Sequence, residues 1–191
     1  GHIDTARLRE LTVSQVALPA AFRTDLVKTL AAMEPCLFPS LCHLTIKSAG
    51  FRDIDLVSLA PSFGPGGSLR ELETLTLDGN PITKCFLESF TLFAMDMPNL
   101  ETLCMLRLSI ARDDMLRFAK TIKDKAHWPH IASVFLTGRG VEGLGRATVL
   151  LDRAVQIVQN RARLDQKIEE AMANPNVASD SSQDSSESDY S

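Results

Sequence analysis

Along residues 72–82 the apolar positions are Leu72, Leu75, Leu77 and Ile82, so leucine recurs at an offset of three and then of two. In an extended Leu75-Thr76-Leu77 the two leucines point to one face and the threonine to the other. Asp78, Gly79, Asn80 and Pro81 then supply turn chemistry. Glycine tolerates positive φ, asparagine bonds backbone groups through its amide, and proline stops the strand. A unit with one apolar side cannot bury it alone, so the pattern predicts neighbours stacked upon it.

The same frame recurs in Leu8-Leu11-Val13-Val16-Leu18, Leu41-Leu44-Ile46-Ala49-Phe51, Leu100-Leu103-Met105-Leu108-Ile110 and Ile131-Val134-Leu136-Arg139-Val141. The first positions, Leu8, Leu41, Leu72, Leu100 and Ile131, are 33, 31, 28 and 31 residues apart. A second marker is in phase with the first. Phe38-Pro39, Met97-Pro98 and Trp128-Pro129 each stand just before a first position, where proline is expected to end the preceding helix and preset an extended approach to the next strand.

On these residues the chain resembles the leucine-rich-repeat proteins of the long-repeat, ribonuclease-inhibitor-like kind, over roughly residues 8–172 as five units. It departs from the family pattern at the asparagine position, which is Asn80 in one unit and Val16, Ala49, Leu108 and Arg139 in the others. The resemblance implies an α/β fold: a right-handed solenoid of about five repeats, with a parallel concave sheet and convex helices. It also implies binding in place of catalysis, since the family carries no general catalytic residues to transfer.

Between the strands, helices are expected from about Ala20 to Met33 with Phe22, Leu26, Val27 and Leu30 apolar, from Asp53 to Ala60, and from Lys84 to Asp96 with Phe86, Leu87, Phe90, Phe93, Ala94 and Met97 inward. A fourth starts at Arg112-Asp113-Asp114, where acids suit the positive helix end, and continues through Met115, Phe118, Ala119 and Ile122. Pro61 to Ser68 is rich in glycine and proline and reads as a mobile insertion. The longest helix, from about Glu142 or Arg146 to Ala171, carries a stripe of Leu151, Val155, Val158, Ala162, Leu164 and Ile168. It reads as a C-terminal capping helix over the open edge, closing a repeat domain that spans residues 1–173.

Composition adds a tail. Residues 174–191 hold four acids and no base, so the remainder balances 20 acids against 20 bases and the net charge of −4 belongs to the tail. No aliphatic residue follows Ala178, which marks an acidic, Ser-rich disordered end. Ser181 and Ser186 each have an acid three residues on, a pattern that suits phosphorylation by acidophilic kinases. Gly1-His2 in place of methionine reads as a cloning remnant on a piece of something longer. Cys36, Cys42, Cys85 and Cys104 fall within repeats and not in terminal clusters, which points to reduced thiols in a cytoplasmic or nuclear protein. No run of eighteen apolar residues exists to span a membrane.

Of the chemistry motifs, Gly138-Arg139-Gly140-Val141-Glu142-Gly143 matches a dinucleotide fingerprint between strand and helix. A Rossmann unit would need a second strand carrying an acid about twenty residues on, whereas here a helix follows and runs into the tail. The repeat frame accounts for both glycines as turn residues, Gly138 aligned with Gly79 and Gly140 with Gly50. His127 and His130 are separated by proline and lack completing ligands, so no metal site is expected, and no cofactor. The basic residues are dispersed among acids, which disfavours nucleic acid.

What remains is the outward side of the strands. The frame predicts a central row of Thr12, Thr45, Thr76, Cys104 and Phe135. Glu10, His43, Thr74, Thr102 and Ser133 flank it on one side, and Ser14, Lys47, Asp78, Leu106 and Thr137 on the other. Lys47 and Asp78 stand one unit apart, as a surface ion pair worth at most about 1 kcal/mol. Cys104, Leu106 and Phe135 are the strongest candidates for contact with a protein partner, with Thr45, Thr76, Lys47 and Asp78 beside them. The function expected is a non-enzymatic protein-protein interaction module. The alternatives are a regulator of another enzyme (a GTPase activator, with Arg139 as its test, or a ubiquitin-ligase substrate receptor) and an actin binder resembling tropomodulin, an analogy of architecture alone.

Overall fold

The computed structural model describes residues 7–32, 38–138 and 145–173. The most regular local feature is a four-residue turn before each of the last four strands. The amides of Leu41, Leu72, Leu100 and Ile131 donate to the carbonyls of Phe38, Leu69, Met97 and Trp128 at 3.2, 3.4, 3.3 and 3.2 Å. Pro39, Pro98 and Pro129 therefore occupy the second corner of a β-turn, where a fixed φ near −65° is preorganised. This corrects the reading of those prolines as helix terminators. The preceding helices have already ended, at Phe93 and Lys125 in the third and fourth units.

From these turns emerge β1 (Glu10–Ser14), β2 (His43–Lys47), β3 (Thr74–Thr76), β4 (Thr102–Leu108) and β5 (Ser133–Gly138), all parallel and side by side in chain order. Helices α1 (Ala20–Ala31), α2 (Asp53–Val57), α3 (Lys84–Phe93), α4 (Arg112–Lys125) and α5 (Gly145–Ala173) follow them in turn. The backbone joins neighbouring units in a repeated way. The carbonyls of Arg9, Cys42, Glu73 and Glu101 each accept two consecutive amides of the next unit: Cys42 and His43, Glu73 and Thr74, Thr102 with Glu101, and Ala132 with Ser133.

The first four strands each carry, at or near their ends, a left-handed residue at the same place in the frame. Gln15, Ser48, Gly79 and Arg107 have φ of 56°, 49°, 68° and 58°. The amides of Gln15, Ser48 and Gly79 then reach the carbonyls of Lys47, Asp78 and Leu106 at 2.8–2.9 Å, which extends the ladder beyond the strands. The three side-chain-bearing residues hold this conformation at a cost of about 1–2 kcal/mol each, so the bond to the neighbouring unit must sustain it: a carbonyl for Gln15 and Ser48, the Thr137 hydroxyl for Arg107.

The inward leucine positions form one continuous core. Leu44, Leu72, Leu75, Leu77, Leu100 and Leu103 are fully buried, and the helices add Phe63, Phe86, Phe90 and Phe118. Phe90 stands at the centre, with ring centroids 5.3 Å from Phe63, 5.7 Å from Phe86 and 6.4 Å from Phe118. Trp128 is buried and donates its Nε1–H to the Ala94 carbonyl at 2.8 Å. Caps bind the helices to one another as well as to their own ends. The Asp53 carboxylate at the start of α2 accepts from the amide and hydroxyl of Thr83, which caps α3. Asp55 accepts from the Arg52 amide and from Arg23 Nε of α1, each at 3.0 Å.

Asn80 is the one asparagine of the frame, fully buried. Its Oδ1 accepts from the amides of Ala49 and Phe51 at 3.1 and 3.2 Å, and its Nδ2 donates to the carbonyls of Ile46 and Leu77 at 2.8 and 3.1 Å. It thereby satisfies the turn of the preceding unit, whose own frame position is Ala49.

Several expectations need correction. Helix α2 is one turn long, and Ala60–Phe63 forms a separate 3-10 turn. The stretch from Pro61 to Ser68 is packed in place: Phe63 and Leu69 are in the core, the Leu69 amide donates to Ser62, and the Ser68 hydroxyl donates to the Leu30 carbonyl at 2.6 Å. Gly67 is there for close approach, since a Cβ on it would lie 2.2 Å from the Ser62 carbonyl oxygen, and Gly66 for a left-handed turn, with φ of 76°. Phe22 and Val16 are exposed, because α1 and β1 have neighbours on one flank only among the described residues. Phe93 lies at the rim as the last residue of α3, facing Gly64, which has no side chain to cover it. Met33, Cys36, Arg139 to Gly143 and residues 174–191 lie outside the described residues.

Asn80→Ala strands the buried groups of Ala49, Phe51 and Ile46, and is expected to cost about 3 kcal/mol. Urea denaturation should show the midpoint falling. Gly67→Ala is expected to lower stability by about 1–3 kcal/mol in the same assay, since backbone must move to admit the methyl group.

Candidate functional site

On the outward side of the sheet, register pairs Thr12 with Thr45, Thr45 with Thr76, Thr76 with Cys104 and Cys104 with Phe135. The five central positions thus lie in one row, and Glu10, His43, Thr74, Thr102 and Ser133 form a second row beside it. The row is graded. Thr12 is exposed, Thr45 and Cys104 half-buried, Thr76 buried, and Phe135 on β5 is 51% exposed.

Two candidates sit deeper than an outward surface position suggests. Thr76 is short and flanked on both sides, by Thr45 and Cys104. Asp78 is turned into the sheet: its Oδ1 accepts from the Leu106 amide at 2.9 Å and its carboxylate accepts from the Cys104 thiol. Its other oxygen lies 3.9 Å from Lys47 Nζ, so the expected ion pair forms with one exposed and one buried partner. Leu106 is half-buried beside Asp78.

Burial, the hydrogen bond to Asp78 and the charge of that carboxylate together push the Cys104 thiol up to about 12, with Lys47 pulling the other way. Cys104 is therefore a neutral thiol near pH 7, a small apolar contact and not a nucleophile. Cys42, Cys85 and Cys104 are all free.

At the start of the strands, Glu73 lies 3.6 Å from both Arg9 and His43. At their far end, β4 carries an irregularity between Met105 and Leu108 that turns Arg107 outward, with its amide donating to Thr137 Oγ1 at 2.9 Å. The Arg107 guanidinium packs over Gly79, 3.3 Å from where a Cβ would stand. Sequence reasoning passed over Arg107. The signal was its place in the frame, level with Gly79, where the backbone turns left-handed. Beside Phe135, a cleft of about 170 Å³ opens between β5 and the Asp152, Val155 and Gln156 face of α5.

Helix α5 packs on α4 and reaches β5. Gln159 donates to the Ile131 carbonyl at 2.8 Å, and Arg161 to the carbonyls of Lys123 and Ala126 at 2.7 and 3.3 Å. Leu151, Val155 and Val158 are buried, Ala162 is half-buried, and Leu164 and Ile168 are exposed. Among the described residues no helix is long and apolar enough to cross a membrane.

No protein-family model matches the chain. No curated protein matches it either. Among solved structures, it is similar to one described as Leiomodin-1 Actin-Binding Site 2, with a TM-score of 0.58 and 15% identity over 88% of this chain and 90% of that one. It is also similar to a tropomodulin C-terminal domain from Caenorhabditis elegans, with a TM-score of 0.58 and 12% identity over 85% and 91%. These likenesses carry the fold, an α/β arrangement of leucine-rich-repeat type with a five-stranded parallel sheet and five helices.

The raised folded-state pKa of Cys104 favours its protonated form, so its contribution to stability is complete below the ordinary thiol value near 9 and is lost as pH rises from there toward 12. In a peptide-resolved alkylation experiment at pH 8, exposed Cys85 should be modified well before Cys104. Asp78→Asn should speed modification of Cys104 by removing one cause of the shift. Equal rates at both cysteines would contradict this assignment.

Proposed function

We propose that this chain is a non-enzymatic protein-binding module that takes a protein partner on the outward face of its sheet. The units stack as a right-handed solenoid of the ribonuclease-inhibitor-like, long-repeat kind, with the strands concave and the helices convex. Helix α5 caps its last edge, and residues 174–191 form a separate acidic tail. Chain-order parallel pairing and the hydrogen bonds of α5 to the turn before β5 and to α4 support this arrangement.

One observation carries the binding reading: the central row ends in Phe135, which stays exposed although α5 packs beside the same strand. An exposed aromatic next to a small neutral thiol and a leucine is the material of an interaction hot spot. Phe135, Leu106 and Cys104 make the apolar contact, and Thr45 and Lys47 the polar margin. Thr76 and Asp78 form the floor that holds them in place. The partner is a protein met in the cytoplasm.

A specific observation favours actin as a second reading, namely the likeness of fold to a segment described as an actin-binding site. At 15% identity that likeness does not bring the neighbour's contacts with it, so the two readings are separated by experiment.

In pull-downs with the full chain, Phe135→Ala and Leu106→Ala should each weaken capture of the wild-type partner about 30-fold, the effect of losing about 2 kcal/mol at a hot spot. Circular dichroism should remain unchanged. Capture that survives both substitutions would overturn the sheet-face reading. Co-sedimentation with filamentous actin and a binding titration with monomeric actin decide the second reading, which fails if wild type binds neither.

A further inference from the structure

On the helical side, α4 and α5 do not close completely. A cleft of about 320 Å³ opens between them, at the low end of the roughly 300–1,000 Å³ typical of ligand clefts. Its floor is apolar: Leu116 and Ala119 from α4, with Leu150, Ala154 and Ile157 from α5. Its rim is basic: Lys120, Lys123 and Arg153, all exposed. No described residue lining it is acidic; the acid recorded beside the rim is Asp124, 3.7 Å from Lys123. Apolar floor and cationic rim together select a short acidic segment that carries one large apolar or aromatic side chain.

The chain contains such a segment. Residues 180–190 hold Asp180, Asp184, Glu187 and Asp189, no base, and Tyr190, the sole tyrosine of the protein. We propose that this cleft is the docking site of the chain's own acidic tail, with Tyr190 on the apolar floor and the neighbouring carboxylates against Lys120, Lys123 and Arg153.

Length permits it. From Ile157 to the end of α5 at Ala173 the helix rises about 24 Å, and the sixteen residues from 174 to 189 can span about 50 Å. The last turns of α5 carry Asp165, Glu169 and Glu170 as well as Arg163 and Lys167, so they offer the tail little net attraction on its way. The cleft, whose lining holds three cations and no acid, with Asp124 beside Lys123 alone, is where it is drawn. Tethering sets the local tail concentration on the order of millimolar, so even weak complementarity fills the site. Occupancy falls with salt, because the attraction is between exposed charges. The proposal is independent of the sheet-face reading, since it uses the helical side.

A single tyrosine makes the test direct. In the full chain grown with 3-fluorotyrosine, the one fluorine resonance reports Tyr190. Docking predicts a line displaced from the free-peptide position and broadened to the width of the folded protein, at all protein concentrations. The triple variant Lys120→Glu, Lys123→Glu, Arg153→Glu should return it to the sharp free position, and 0.5 M sodium chloride should do the same in wild type, which guards against misfolding of the variant. Near-UV dichroism of Trp128 monitors the fold. A sharp free line in wild type, a displaced line that neither treatment moves, or a displacement that appears only as protein concentration rises, the mark of a second copy in the cleft, would each overturn the proposal.

Discussion

A strand with leucines on one face has no stable place for them except beneath another strand of the same phase. A shift of one residue would move every leucine to the outer face, so the register between units is fixed by burial. The structure meets this constraint at every junction. Leu11, Leu44, Leu75, Leu103 and Val134 pair in one inner row, and the residues that follow them pair in one outer row. The outer row is thus a consequence of the inner one. A surface with Phe135 at one end and threonine at the other exists because the leucines beneath have been brought into line.

Packing alone leaves the strand ends unresolved, since each chain must turn from the sheet into a loop without stranding backbone groups. Two devices solve this. Left-handed residues at Gln15, Ser48, Gly79 and Arg107 turn the chain, and the amides of the first three are paired with the next unit. Asn80 does the rest for two units at once, reaching across to Ala49 and Phe51. A buried amide with both its ends satisfied is costly to remove and specific in its reach. It explains how a frame with a single asparagine still forms an ordered turn in the unit before it.

Much of this was legible in the residues, for physical reasons. The leucine offsets gave strand positions and phase directly, because period-two burial leaves no alternative face. Asp113 and Asp114 marked the start of α4 because acids suit a helix N-terminus. What sequence missed depended on contacts distant along the chain. Pro61 to Ser68 looked mobile by composition, yet Phe63 and Leu69 anchor it in a core that only the fold assembles. Asp78 looked like a surface charge until the Leu106 amide and the Cys104 thiol came within its reach. Arg107 looked like any exposed arginine, since its left-handed backbone is announced only by its place in the repeat frame, level with Gly79.

The two sides of the molecule have different chemistry. The outer sheet row presents an aromatic and a neutral thiol, while the cleft between α4 and α5 presents cations over an apolar floor. Both follow from the same in-phase stacking, so that stacking is the claim to test. Interstrand nuclear Overhauser contacts in the isotopically labelled chain test it most directly. The account predicts backbone contacts linking Thr12 to Thr45, Thr45 to Thr76, Thr76 to Cys104 and Cys104 to Phe135. Contacts displaced by one residue at any junction, such as Thr76 with Met105 in place of Cys104, would contradict it.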